Sequence, residues 1–85
     1  MTVSFADDAW SEYTEWQNTD KNILRRINEL IKDIQRNGFM KGLGKPEALK
    51  GRKAFSRRID DVHRLVYTGD ENQNLKILSC KGHYE

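Results

Sequence analysis

Four places in the chain carry polar residues that a plain solvated surface does not require. Glu47 and Lys50 lie in a glycine-rich stretch. Arg57 and Arg58 are adjacent, His63 and Arg64 follow shortly after, and His83 and Tyr84 stand at the end of "KILSCKGHYE". Two proton-transfer groups plus fixed positive charge suit phosphodiester cleavage without a metal. One group takes a proton from the nucleophile, another protonates the leaving oxygen, and cations stabilise the charge that develops at phosphorus. RNA supplies its own nucleophile, the 2′-hydroxyl, so such chemistry needs no serine, cysteine or metal. An ordinary glutamate is a weak base at neutral pH, so it would have to be tuned, or the substrate held firmly, for this mechanism to run well.

Each of these residues also has a plainer reading. Glu47 follows Pro46 and fits an acid at a helix start. His63 fits a structural, hydrogen-bonded histidine, and His83 a surface residue at a fraying terminus. Cys80 reads as a small core residue. Arg57, Arg58 and Arg64 are harder to dismiss, because three guanidiniums on one sheet face repel each other unless an anion or an acid sits among them.

These residues must be positioned by helices and strands whose pattern is legible. "TVSF" at 2–5 alternates weakly and predicts a short first strand. Ala6, Ala9, Trp10, Tyr13 and Trp16 recur at helical spacing, predicting a helix over 7–17 with a core-facing aromatic stripe. "NTD" at 18–20 supplies a break and a new N-cap. Ile23, Leu24, Ile27, Leu30, Ile31 and Ile34 then predict a long helix over 20–37, stopped by Gly38. "GFMKGLGKPEALKG" holds four glycines and the only proline, and reads as a loop with at most one turn at "PEAL". Three strands follow. "AFSRRID" sets Phe55, Arg57 and Ile59 against Ser56, Arg58 and Asp60. "VHRLVYTG" sets Val62, Arg64 and Val66 against His63, Leu65 and Tyr67. "NLKILSC" closes the set after the polar turn "GDENQN". The predicted fold is α+β: a short first strand, a helical hairpin, then an antiparallel meander packed on the helices.

Composition narrows the class. The 85 residues make one domain, 1–85, with 36% apolar and 33% charged residues, so its core is thin and a partner or self-association is expected to add stability. A single cysteine permits no internal disulfide and fits a reducing cytoplasm. The first ten residues lack a signal peptide's basic and apolar regions, no run reaches membrane-span length, and no metal-ligand spacing is present. Residues 1–37 hold 5 basic and 7 acidic groups, whereas residues 38–85 hold 10 basic and 6 acidic. The second half therefore offers an anion-binding surface, unless it is only a solvated charged face.

Taken together, "NELIKDIQRNGF", "GKPEALK", "SRRIDDVHRLVY" and "CKGHYE" resemble the YoeB (Txe/YoeB) branch of the RelE/ParE toxin superfamily, the toxins of bacterial type II toxin–antitoxin modules. The resemblance spans essentially the whole chain. It implies a RelE-like microbial ribonuclease fold with a sheet of about four strands. It also implies a cytoplasmic, ribosome-dependent endonuclease that cuts messenger RNA in the A site and stops translation, with no metal and no organic cofactor. Carried onto this chain, Glu47 would be the general base and His83 the general acid. Arg64 would stabilise the phosphate, with Tyr84 completing the site. Lys50, Arg57, Arg58 and His63 would contact substrate or support that contact. The implied partners are a YefM/Phd-type antitoxin, the ribosome with its message, and a second copy of the toxin. Operator DNA would be reached only through the antitoxin complex.

Two other functions are compatible with parts of the pattern. A gyrase-inhibiting toxin of the same superfamily needs no proton-transfer pair, and Glu47 with His83 and Tyr84 speaks against it. A non-enzymatic RNA- or peptide-binding module would leave the histidines incidental.

Overall fold

The computed structural model describes residues 1–82. The elements follow the order β1 (Val3–Phe5), α1 (Asp7–Thr19), α2 (Lys21–Asn37), β2 (Glu47–Ala48), β3 (Phe55–Arg58), β4 (Arg64–Gly69) and β5 (Leu75–Ser79). Asp7 and Asp8 occupy the first turn of α1, where the helix dipole favours acids. Between the helices, Asp20 Oδ1 accepts the amides of Asn22 and Ile23 at 3.0 and 3.1 Å, so one residue ends α1 and caps α2. Gly38, at φ 92°, ends α2 with its amide on the carbonyl of Ile34. No described helix is long and apolar enough to cross a membrane.

The five strands form one sheet in the order β1-β5-β4-β3-β2. β1 runs parallel to β5, and the remaining pairs are antiparallel. The helices cover one face. Ala9 and Trp16 of α1 and Ile27, Leu30, Ile31 and Ile34 of α2 pack on Leu65, Tyr67, Leu75 and Ile77. The alternation read from the sequence sets Leu65 and Tyr67 on one face of their strand, and the structure turns that face inward.

Three details differ from expectation. The sheet is mixed, because the helical hairpin carries the chain from β1 to β2 at the opposite edge and the meander β2–β3–β4–β5 then ends with β5 beside β1 and parallel to it. "PEAL" contributes a short edge strand in place of a turn, with Glu47 opposite Ser56 and Ala48 opposite Phe55. Pro46 disfavours helix in the residue before it, and β3 offers an open edge to pair with. The aromatic stripe of α1 is not wholly core: Trp16 is buried, but Trp10 is 52% exposed and closes the edge of a cluster with Phe5 and Tyr13.

Candidate active site

The strand register assembles a polar set on the sheet face turned away from the helices. Glu47 of β2, Ser56 of β3, Val66 of β4 and Ser79 of β5 are successive cross-strand partners, so their side chains share one row on that face. One step along, on the same face, Arg58 of β3 is opposite Arg64 of β4. Ser56 and Val66 are buried and form the floor, while Glu47 and Arg58 are exposed. An acid therefore stands one strand away from Arg58 and two from Arg64. Strands lie about 4.8 Å apart and side chains on one face of a strand about 6.8 Å, a spacing that matches successive phosphates or one phosphate with its ribose.

Arg64 Nη1 donates to the carbonyl of Asp60 at 3.1 Å. Glu47, Lys50 and Arg58 make no side-chain hydrogen bond or ion pair with a described residue, so all three are open to a ligand. Lys50 is exposed in the turn between β2 and β3, where the amide of Leu49 reaches the carbonyl of Ala54 at 2.9 Å and carries the pairing of β2 one residue further.

Arg57 does not belong to this face. The sequence expectation placed it among the substrate-binding cations, yet it is fully buried on the helix side. Its five N–H groups are all used. Nε donates to the hydroxyl of Tyr67 at 2.9 Å. Nη1 donates to Asp33 Oδ2 at 2.5 Å and to the carbonyl of Leu43 at 2.9 Å, and Nη2 to the carbonyls of Gly38 and Lys41, both at 2.9 Å. No donor remains for a phosphate. Arg57 shares the inward phase of Phe55 and Ile59, and it spends its fork on the loop that leads from α2 to β2. The amide of Leu43 and the Arg57 guanidinium hold the Asp33 carboxyl below the usual carboxylate range despite its partial burial. Burial raises the Tyr67 hydroxyl above its ordinary value.

His63 stands at the end of the sheet, not over the face. Its ring meets Trp16 edge-on at 4.9 Å between centroids, and its Nδ1 accepts the amide of Gly82 at 2.8 Å. The amide of Arg64 donates to the carbonyl of Gly82 at 3.0 Å. The residue preceding His83 is thus bound on both sides, next to Arg64. His83 and Tyr84 themselves lie outside the described residues.

Several supporting residues were not singled out from the sequence. Asp60 Oδ1 accepts the amides of Val62 and His63 at 2.8 and 2.6 Å. Burial opposes this carboxylate, but those amides and the nearby His63 and Arg64 outweigh it and hold Asp60 below its ordinary value. An aspartate two and three residues before the amides that it caps is a readable turn signal. Trp16 and Glu12 of α1 hold Cys80: Trp16 Nε1 donates to its carbonyl at 3.0 Å, and Glu12 Oε1 accepts its amide at 2.8 Å. Burial pushes the Cys80 thiol up to about 12, so it is no nucleophile at neutral pH. Among the described residues, no three His, Cys, Asp or Glu side chains converge as a metal site would require. A depression of about 350 Å³ lies against Phe39, Phe55 and Thr68, and none of the expected site residues lines it. The candidate site is therefore an open face, which suits a polymer more than an enclosed small molecule.

With this geometry in place, comparison with known proteins is informative. A family model described as a YoeB-like toxin of bacterial type II toxin–antitoxin systems matches residues 5–84. Toxin YoeB of Streptomyces coelicolor is 46% identical over 99% of this chain and 100% of its own length. Among solved structures, the YoeB–YefM complex of Staphylococcus aureus superposes with a TM-score of 0.90 at 46% identity, covering 99% of this chain and 98% of that one. The YoeB dimer of Staphylococcus aureus gives 0.91 at 46% identity, with the same coverage.

Proposed function

Since this chain belongs to the family of YoeB-like toxins of bacterial type II toxin–antitoxin systems, we propose that it is a metal-independent endoribonuclease that cuts messenger RNA in the ribosomal A site and so blocks translation. The observation that carries the proposal is the sheet face on which Glu47 shares a row with Ser56, beside the Arg58–Arg64 pair, with Gly82 bound next to Arg64. In this reading Glu47 accepts the proton of the 2′-hydroxyl. The 2′-oxygen forms a bond to phosphorus as the bond to the 5′-oxygen breaks. His83 delivers a proton to that leaving oxygen. The products are a 2′,3′-cyclic phosphate and a free 5′-hydroxyl. Arg64, with Arg58 beside it, balances the charge that builds on the phosphate, and electrostatic stabilisation of this kind is a large share of catalysis. Lys50 guides the backbone of the message, and Tyr84 completes the site. The ribosome supplies the firm positioning that a weakly basic carboxylate needs.

The partner in this reading is a YefM-type antitoxin. Its flexible C-terminal segment folds over the basic half of the toxin and competes with RNA for Arg58, Arg64 and Lys50. The toxin also pairs with a second copy of itself.

The test is a cleavage map. Ribosomes stalled on a defined message are mixed with the protein, and new RNA ends are located by primer extension. Wild-type protein is expected to cut at the A-site codon. Glu47→Gln and His83→Gln are expected to cut on the order of a hundredfold or more slowly, as loss of a general base or acid entails. Translation blocked with no new RNA end from wild-type protein would overturn the nuclease reading in favour of a binding inhibitor.

A further inference from the structure

We propose that His63 is a positioning residue whose Nδ1, by accepting the amide proton of Gly82, sets where the last residues of the chain leave the sheet and therefore where the general acid operates. The inference rests on the reading of His83 as that acid.

After β5 ends at Ser79, the chain no longer pairs as a strand and is held residue by residue. Cys80 is tied to Trp16 and Glu12, and Lys81 pairs with Glu15 at 3.0 Å. Gly82 is the last described residue, and both of its backbone polar groups are engaged: the carbonyl by the amide of Arg64, the amide by His63. The first bond is backbone to backbone. The second is supplied by a side chain, and it is the only tie of the two that a side-chain change can remove without touching the phosphate-binding arginine. Gly82 has φ 81°, and a Cβ built there meets nothing within 4 Å. The chain turns sharply there, and the two hydrogen bonds hold the peptide groups on either side of the Gly82 Cα.

The His63 ring is well placed for this task. Asp60 caps its backbone amide, and Trp16 holds the ring edge-on. Trp16 in turn grips the carbonyl of Cys80, so one aromatic pair ties α1, the turn before β4 and the tail into a single unit. A ring nitrogen accepts only while it carries no proton, whereas imidazolium donates at both nitrogens. Protonating His63 would therefore turn the acceptor into a donor facing the N–H of Gly82 and would release the tail. Among the described residues, the charged groups around this contact are Asp60 on the turn, Arg64 at the start of β4, Lys81 on the tail, and Glu12 and Glu15 on α1.

His63→Asn and His63→Leu test the idea together, because the asparagine carbonyl oxygen occupies the place of Nδ1 and accepts without binding a proton, whereas leucine accepts nothing. Two readouts are taken. The first is single-turnover cleavage of ribosome-bound message, with ribosome affinity measured alongside. The second is the amide proton shift of Gly82 in the free protein, followed against pH beside the His63 ring signals. His63→Leu is expected to slow cleavage on the order of tenfold or more, as misplacement of a catalytic group does, with ribosome affinity unchanged. His63→Asn is expected to recover most of the rate and to keep it at acid pH where wild-type protein loses activity. In the wild type, the Gly82 shift should move in step with protonation of His63. Equal rates in the two variants, or a Gly82 amide that does not follow the His63 ring, would overturn the proposal. Wild-type protein that shows the Gly82 signature but does not cut would sink the nuclease reading and, with it, the catalytic consequence assigned to His63.

Discussion

Arg57 and Arg58 are adjacent in sequence and have opposite roles. Arg57→Ala would remove the cation that pairs with the Asp33 carboxylate and the donor that reaches the Tyr67 hydroxyl and three loop carbonyls. Removing one partner of a buried ion pair costs about 3–5 kcal/mol, so chemical denaturation of this variant should show a loss of that size. Arg58→Ala touches no described partner and should leave stability within about 0.5 kcal/mol, yet cleavage on the ribosome should fall. If Arg57→Ala proved as stable as wild type, the role given to it here would be wrong. Asp33 makes the same network sensitive to acid. Its folded-state value is lowered, so its contribution to stability is present above the unfolded value, about pH 3.9, and is lost as the pH falls through the folded value. Asp60 acts in the same direction. Acid titration should therefore destabilise the protein below about pH 4, and Asp33→Asn should be less stable at neutral pH but show a flatter acid limb.

At the scale of elements, the loop between α2 and β2 supports the site, whereas the cap between the helices supports only the hairpin. Gly42 and Gly44 lie in the loop that Arg57 organises, at φ 120° and 81°. A Cβ on Gly42 would fall on the Asp33 carboxylate, and one on Gly44 would come within 2.9 Å of Leu30 Cδ2 and 3.1 Å of the Arg58 carbonyl. The Gly44 carbonyl also accepts the amide of Arg58 at 2.7 Å, so this loop buttresses the strand that presents Arg58. Gly44→Ala is expected to lower both the thermal midpoint and the cleavage rate. Asp20 serves the helical hairpin alone. Asp20→Ala should cost about 1 kcal/mol, the usual worth of an N-cap, while the cleavage rate of the folded protein stays unchanged. A drop in that rate at temperatures where the variant is fully folded would mean that the hairpin does more than support the sheet.

For the whole molecule, the uneven charge decides how it meets its partners. The acidic excess sits in the helical hairpin, and the basic excess in the sheet half that carries the candidate site. Binding of RNA or of an acidic antitoxin segment should therefore weaken steeply with salt. Because the core is thin, an antitoxin should also stabilise the fold: at a hundred times its Kd, the gain is about 2.7 kcal/mol. A thermal midpoint that did not move on adding the antitoxin would contradict that partnership.

What the amino-acid sequence determined by itself was local in origin. The apolar stripe of α2, the Asp20 cap, the stop at Gly38 and the in–out alternation of β3 and β4 are short-range patterns, and each predicts its element because helix and strand periods differ. The alternation even put Arg57 in phase with Phe55 and Ile59. What the tertiary structure alone decided was long-range. That a guanidinium in an inward position would find Asp33 and three loop carbonyls depends on contacts across 14 to 24 residues. That β1 would lie parallel to β5 depends on the meander ending beside the first strand, a pairing across about seventy residues. That His63 would hold Gly82 depends on a contact across 19 residues. Hydrogen bonds of this kind have no period and leave no mark on the residues between them, so they become visible only when the chain is folded.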